Sequence, residues 1–213
     1  MKKNTGLFIT IEGIEGVGKS TAIRFLQAHL EEKGIEVVVT REPGGTEIAE
    51  AIRKLVLAHY NEQMTQDAEL LMIFASRAQH ISSIIRPALE AGKLVLCDRF
   101  TDASFAYQGA GRGMPEEYIA SLEKWVQKGL KPDLTILLDA PASVGSQRAK
   151  HRSAADRIER EKIQFFERAR ACYLTRSKLE PDRFKVVDAS QTLAHVRADL
   201  SKIIDTVIAQ YDK

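Results

Sequence analysis

Five short apolar or β-branched runs punctuate the chain, at residues 7–11, 37–40, 94–97, 135–138 and 184–187. Each has the length of a strand, and several are apolar at consecutive positions, the pattern of strands buried on both faces. Between them lie stretches with helical spacing, at 19–33, 46–57, 67–85, 115–128, 156–179 and 192–211. Gly34 and Gly92 stand where C-caps belong, Asp67 where an N-cap belongs, and Pro87 is expected to kink or end the third helix. This strand–helix alternation predicts an α/β fold, a parallel sheet covered by helices on both faces.

Composition narrows the class. The 213 residues fit one globular domain spanning 1–213, with room for a small mobile insert, and 44% hydrophobic content supplies a sizeable core. Thirty-one basic against 29 acidic residues leave +2, which argues against wholesale coating of a nucleic acid while permitting a local basic pocket. Cys97 and Cys172 form no metal or disulfide pattern and suit a reducing compartment. The apolar stretch near the N-terminus closes at Glu12, too short for a secretory segment, and no run reaches the ~18 apolar residues of a membrane span. A cytoplasmic protein is the expectation. Two irregular polar stretches read as mobile loops: residues 41–46, with a Glu-Pro-Gly-Gly centre, and residues 146–157, crowded with Arg148, Lys150, His151, Arg152 and Arg157.

The first strand runs directly into Gly13-Ile14-Glu15-Gly16-Val17-Gly18-Lys19-Ser20, followed by Thr21 and a helical pattern. This is G-x-x-x-x-G-K-[ST] in its diagnostic context of strand, glycine-rich turn and helix. Such a turn points successive backbone N–H groups at phosphate oxygens, and the helix adds its unpaired N-terminal donors. Lys19 is expected to reach the β- and γ-phosphates, and the Ser20 hydroxyl to ligate Mg²⁺. Asp98, closing the strand at 94–97, sits where ligands gather on a parallel sheet and matches the Walker-B pattern; it either holds the metal or its waters, serves the acceptor site, or caps the next turn. Arg99 beside it offers a planar fork for a phosphate. A phosphate-binding turn alone permits a kinase, a motor or assembly ATPase, or a GTPase. The GTPase signatures Asn-Lys-x-Asp and Asp-x-x-Gly do not occur.

Five motifs, taken together, resemble the thymidylate kinase family in its bacterial form. They are the glycine turn with Thr21, Arg41-Glu42-Pro43-Gly44-Gly45-Thr46, Phe74-Ala75-Ser76-Arg77, Asp98-Arg99-Phe100 and Ala106-Tyr107-Gln108-Gly109. The resemblance extends through Asp156-Arg157-Ile158-Glu159 to the last helix. It implies a P-loop kinase core, a five-stranded parallel sheet of order 2-3-1-4-5 flanked by helices, with a short lid at about 146–158. It also implies ATP- and Mg²⁺-dependent phosphorylation of dTMP to dTDP by a homodimer.

Roles carry over residue by residue. Glu15 resembles the carboxylate that accepts a hydrogen bond from the sugar 3′-hydroxyl. Phe74 would stack on thymine and Arg77, on the same helix face, would bond a base oxygen. From the residues alone, Phe74 reads as core. Arg41 and Arg99 resemble acceptor-phosphate clamps. Ser104, Tyr107 and Gln108 are the remaining expected acceptor contacts; Tyr107 and Gln108 resemble a wall that disfavours a 2′-hydroxyl and contacts the base. Arg152 and Arg157 are the lid candidates for charge stabilisation, and Arg148 for stacking beside adenine. Phe100 departs from the Tyr or His common after Asp-Arg. Transfer would need alignment and positive charge more than a general base, because the acceptor phosphate is already a deprotonated nucleophile.

Overall fold

The apolar runs form five parallel strands, β1 (Phe8–Glu12), β2 (Val37–Arg41), β3 (Leu94–Asp98), β4 (Leu134–Asp139) and β5 (Phe184–Asp188), in the order β2-β3-β1-β4-β5. A computed structural model describes residues 6–149 and 156–211. Strands β1, β3 and β4 are buried almost throughout, whereas β2 and β5 are partly exposed. The run at 37–40 therefore reads as doubly buried in sequence but lies at an edge, where helices cover less of it. Side chains alternate across the central strands. Ile9, Ile11 and Leu96 face a core with Leu26, Leu30, Leu200 and Ile204, while Phe8, Val95 and Cys97 face Ile81, Ile85 and Phe100. Between β1 and β4 the buried hydroxyls of Thr10 and Thr135 satisfy one another at 2.9 Å.

The helices are α1 (Lys19–Glu31), α2 (Glu47–Leu57), α3 (Gln66–His80), α4 (Arg86–Glu90), α5 (Thr101–Ser104), α6 (Glu116–Gln127), α7 (Ala142–Ala149), α8 (Ile163–Leu179) and α9 (Leu193–Tyr211). Pro87 does not end the third helical stretch. A π-helical turn over Ile81–Ile85 adds a residue just ahead of it, and the helix continues through α4 to Glu90, with Gly92 beyond. The widened turn places Pro87 in the opening turn of α4, where its missing N–H costs little. A second π-helical stretch, Phe105–Gly111, prolongs α5. The sequence assigns no element to the stretch holding α5, and α7 runs into the stretch from 146 read as a loop. The eighth helix starts at Ile163 rather than at 156, because Asp156 Oδ1 accepts from the backbone N–H groups of Ile158 and Glu159 and turns the chain there.

Asp67 is not the cap of α3. Thr65 occupies that position with extended backbone, and its hydroxyl accepts from Ala68 N at 3.3 Å; Asp67 lies in the first turn. Thr65→Ala should lower unfolding free energy by about 1 kcal/mol and Asp67→Ala by clearly less, read from paired urea melts. The reverse order would return the cap to Asp67.

Candidate active site

The glycine turn joins β1 to α1 at the C-terminal edge of the sheet. Gly16 has φ +76°, and a Cβ there would lie 2.0 Å from the carbonyl oxygen of Gly145 in α7, so glycine alone lets the two segments meet. Lys19 is buried, and its Nζ donates to the carbonyls of Gly13 (3.1 Å) and Ile14 (2.9 Å). Burial, then the nearby Arg99 guanidinium, pull its pKa below the ordinary lysine value. An anionic phosphate would be a better partner for this ammonium than two neutral carbonyls. Val17, Gly18 and Thr21 open onto a cavity of about 200 Å³ shared with Phe25, Arg148 and Arg197. Arg148 Nη1 donates to Ala189 O at 2.9 Å, and the Arg197 guanidinium lies 5.4 Å from the Phe25 ring. Flat cations beside apolar walls suit a nucleobase.

A second cleft lies across the sheet edge, between α2, α3 and α5. Arg77, 1% exposed, donates from Nε to Glu42 Oε2 (2.7 Å) and from Nη2 to Phe100 O and Ser104 Oγ (both 3.1 Å), while its buried Nη1 has no partner. Arg99 holds left-handed backbone at φ +69°. Its Nη1 donates to Gly13 O at 2.9 Å, and its Nη2 to Glu15 Oε1 at 2.5 Å and Tyr107 Oη at 2.8 Å. The Arg99 guanidinium also lies over the Tyr107 ring. Glu15, Arg77, Arg99, Ser104, Tyr107 and Gln108 all line this cleft. The cleft holds about 80 Å³ of free space. Typical ligand pockets measure ~300–1,000 Å³, so a ligand of that size would fit only if side chains moved aside.

Several expected residues sit elsewhere. Phe74 does not line the cleft; it packs with Leu70, Phe105, Met114 and Ile119, and Ile73, one position earlier, lines it instead. The helical spacing from Ile73 to Arg77 is i,i+4, a signal that could have singled it out. Arg41 is half-exposed and held by Glu50 (Nε–Oε1 3.1 Å, Nη2–Oε2 2.8 Å), while Arg53 lines the cleft. Nothing in the sequence separates Arg53 from other helical arginines. Arg157 reaches the buried carboxylate of Glu69 (2.5 Å) and Val56 O (2.9 Å), not the glycine turn; a buried charge draws the nearest cation. The expected loop from 146 is helical up to Ala149, and Arg152 lies outside the described residues. Phe100 packs edge-on against Phe8, and the polar contacts at this position come from its backbone, whose N–H donates to Glu12 and whose C=O accepts from Arg77.

Asp98 Oδ1 is buried without a partner at the end of β3, an unsatisfied acceptor suited to a cation or its waters, and Ser20 lies in the first turn of α1 on the same edge. These donors fit the hard, oxygen-seeking Mg²⁺.

A family model described as thymidylate kinase matches residues 11–200. The chain belongs to the thymidylate kinase family. It is 53% identical to thymidylate kinases of Pseudomonas syringae pathovar tomato and Ectopseudomonas mendocina, each over 96% of this chain and 97% of the relative. It also superposes with a TM-score of 0.77 on the crystal structure of thymidylate kinase from Ehrlichia chaffeensis, at 32% identity, covering 94% of this chain and 99% of the other. The family's reaction is ATP-dependent phosphorylation of dTMP to dTDP, and its members are phosphotransferases.

Sequence reasoning missed Glu12. Fully buried, it accepts from Phe100 N and Tyr173 Oη, both at 2.7 Å. Tyr173 in turn accepts from Arg99 at 3.3 Å. Burial, reinforced by Asp102, pushes the Glu12 carboxyl from 4.5 up to about 7. Its folded-state pKa being raised, the bound proton favours the folded state fully below about pH 4.5, and this contribution is lost as pH climbs towards 7. Glu12→Gln keeps the shape without the titration. The Tm of the native chain should therefore fall relative to that variant as pH rises from about 5 to about 7. A difference independent of pH would place the titration elsewhere.

Proposed function

We propose that this chain transfers the γ-phosphoryl group of Mg·ATP to the phosphate of dTMP within one domain, with the donor on the glycine turn and the acceptor in the second cleft. One observation carries this reading. Lys19 Nζ and Arg99 Nη1 donate to the same oxygen, the Gly13 carbonyl, so the lysine of the glycine turn and an arginine of the second cleft meet at a single point. In this reading that point would lie between the two anions whose repulsion opposes transfer, where preorganised positive charge lowers the barrier. Ser20 and Asp98 would hold Mg²⁺, which supplies further neutralisation of phosphate charge.

The acceptor cleft supports thymine as the base. The unpartnered Nη1–H of Arg77 suits a carbonyl oxygen, which thymine carries where cytosine carries an amino group. Arg53 and Arg99 supply charge for the acceptor phosphate, Glu15 an acceptor for a sugar hydroxyl, and Tyr107 a wall beside it. Transfer to a phosphate oxygen demands no general base. Cys97 and Cys172 are free thiols, in keeping with the cytoplasm, and no helix among the described residues is long and apolar enough to cross a membrane. The groove between α3 and α6 exposes Leu71 and Trp125, a face suited to a second copy of this chain.

ADP release from Mg·ATP, compared across dTMP, dUMP, dCMP and AMP, tests the activity: dTMP should give the highest kcat/KM, and equal turnover of dCMP would refute the base assignment. Arg77→Ala should raise the dTMP KM about tenfold or more with the ATP KM nearly unchanged. Equal effects on both would remove Arg77 from the acceptor site. In sedimentation velocity the native chain should run as a dimer and Trp125→Glu as a monomer; a native monomer refutes the pairing.

A further inference from the structure

Glu69, in the first turn of α3, is 2% exposed and lies outside both clefts. Its Oε1 accepts from Gln108 Nε2 at 2.8 Å and Arg112 Nε at 3.2 Å; its Oε2 accepts from Arg112 Nη2 at 3.1 Å and Arg157 Nη2 at 2.5 Å. Although burial opposes its charge, Arg112 and the other donors hold the Glu69 carboxyl below its ordinary range. An ionised carboxylate only accepts hydrogen bonds. Of the two ends of the Gln108 amide, only the NH₂ can therefore face it, since the reverse orientation would set two oxygens against each other. Gln108 is itself buried and lines the acceptor cleft. With its NH₂ tied to Glu69, its carbonyl oxygen is the end left for a ligand.

We propose that Glu69 is a positioning residue for base recognition, fixing the Gln108 amide so that the cleft presents an acceptor beside the free donor of Arg77; this rests on the dTMP reading above. A donor next to an acceptor is the complement of a carbonyl next to a ring N–H, the edge of thymine and uracil. Cytosine reverses both, offering an amino donor to Arg77 and a bare ring nitrogen to the Gln108 carbonyl. Glu69 thus contributes to specificity by removing the amide flip that would accommodate the wrong base. Arg112, whose Nη1 is also paired to Glu161, and Arg157 keep the carboxylate charged and in place.

Glu69→Gln keeps the size but allows either amide orientation. It should raise the dTMP KM about tenfold and lower the dTMP-over-dCMP preference by a similar factor, with kcat and the ATP KM within about twofold. In a Gln108→Ala background the same substitution should add less than about twofold, because the residue it acts through is gone. Additive effects, or a fall in kcat with dTMP preference retained, overturn the proposal and leave Glu69 structural. A native enzyme that turns over dCMP as readily as dTMP defeats the dTMP reading, and this proposal with it. Should Glu69→Gln fail to fold, NMR of the unmutated protein decides: the Gln108 side-chain NH₂ should be protected from solvent exchange with and without dTMP. Free exchange, or an NH₂ that shifts partner to the nucleotide, overturns it.

Discussion

A guanidinium inside a protein must find anionic or carbonyl partners, and the Arg77–Glu42 pair is the contact on which the second cleft depends. Glu42 follows directly after β2, and its other oxygen faces His80 Nδ1 at 3.0 Å, one helical turn from Arg77 on α3. The two contacts tie the end of the sheet to the helix forming the cleft wall. Removing either charge would strand the other in a region of low dielectric, a cost of several kcal/mol. Because Nε and Nη2 are committed to Glu42, Phe100 and Ser104, the guanidinium cannot rotate, and Nη1 remains as the one uncommitted corner.

The same arrangement recurs around the site. Glu12 brackets Phe100 N and Tyr173, which touches Arg99; Glu69 gathers Gln108, Arg112 and Arg157. Each carboxylate belongs to a regular element, and each fixes a side chain or backbone turn at the second cleft. Function rests on groups exposed to the clefts, while orientation rests on acids hidden behind them. The left-handed backbone of Arg99 belongs to this scheme, since its neighbour's N–H is held by Glu12 while its own guanidinium turns towards Gly13 and Glu15.

Much of the fold was legible because continuous apolar runs and helical spacing register burial, which the central strands and α1 express plainly. The glycine turn was legible because its chemistry is local: spacing alone brings backbone N–H groups together. What escaped was what only tertiary contact decides. Phe74 and Ile73 are adjacent, apolar and on one helix, and which of them faces the cleft depends on the angle at which α3 meets α5 and α6. Arg41 and Arg53 are both cations near the same loop, and Glu50 captures the first. The α5 and Phe105–Gly111 stretch mixes small, polar and aromatic residues with no clear period, and it is buried against α8. Pro87 misled because a single extra residue wound into the preceding turn absorbs the ring.

The contact of Gly16 with Gly145 has a consequence for how the chain can change. A Cβ at position 16 would strike the Gly145 carbonyl at 2.0 Å, and one at position 145 would strike the Glu15 carbonyl at 2.3 Å. Each obstacle is main chain, so neither site can be relieved by trimming the other's side chain, there being none to trim. The usual route by which two touching positions exchange bulk for space is closed here, and the pair forms a fixed point around which the rest of the sequence is free to drift.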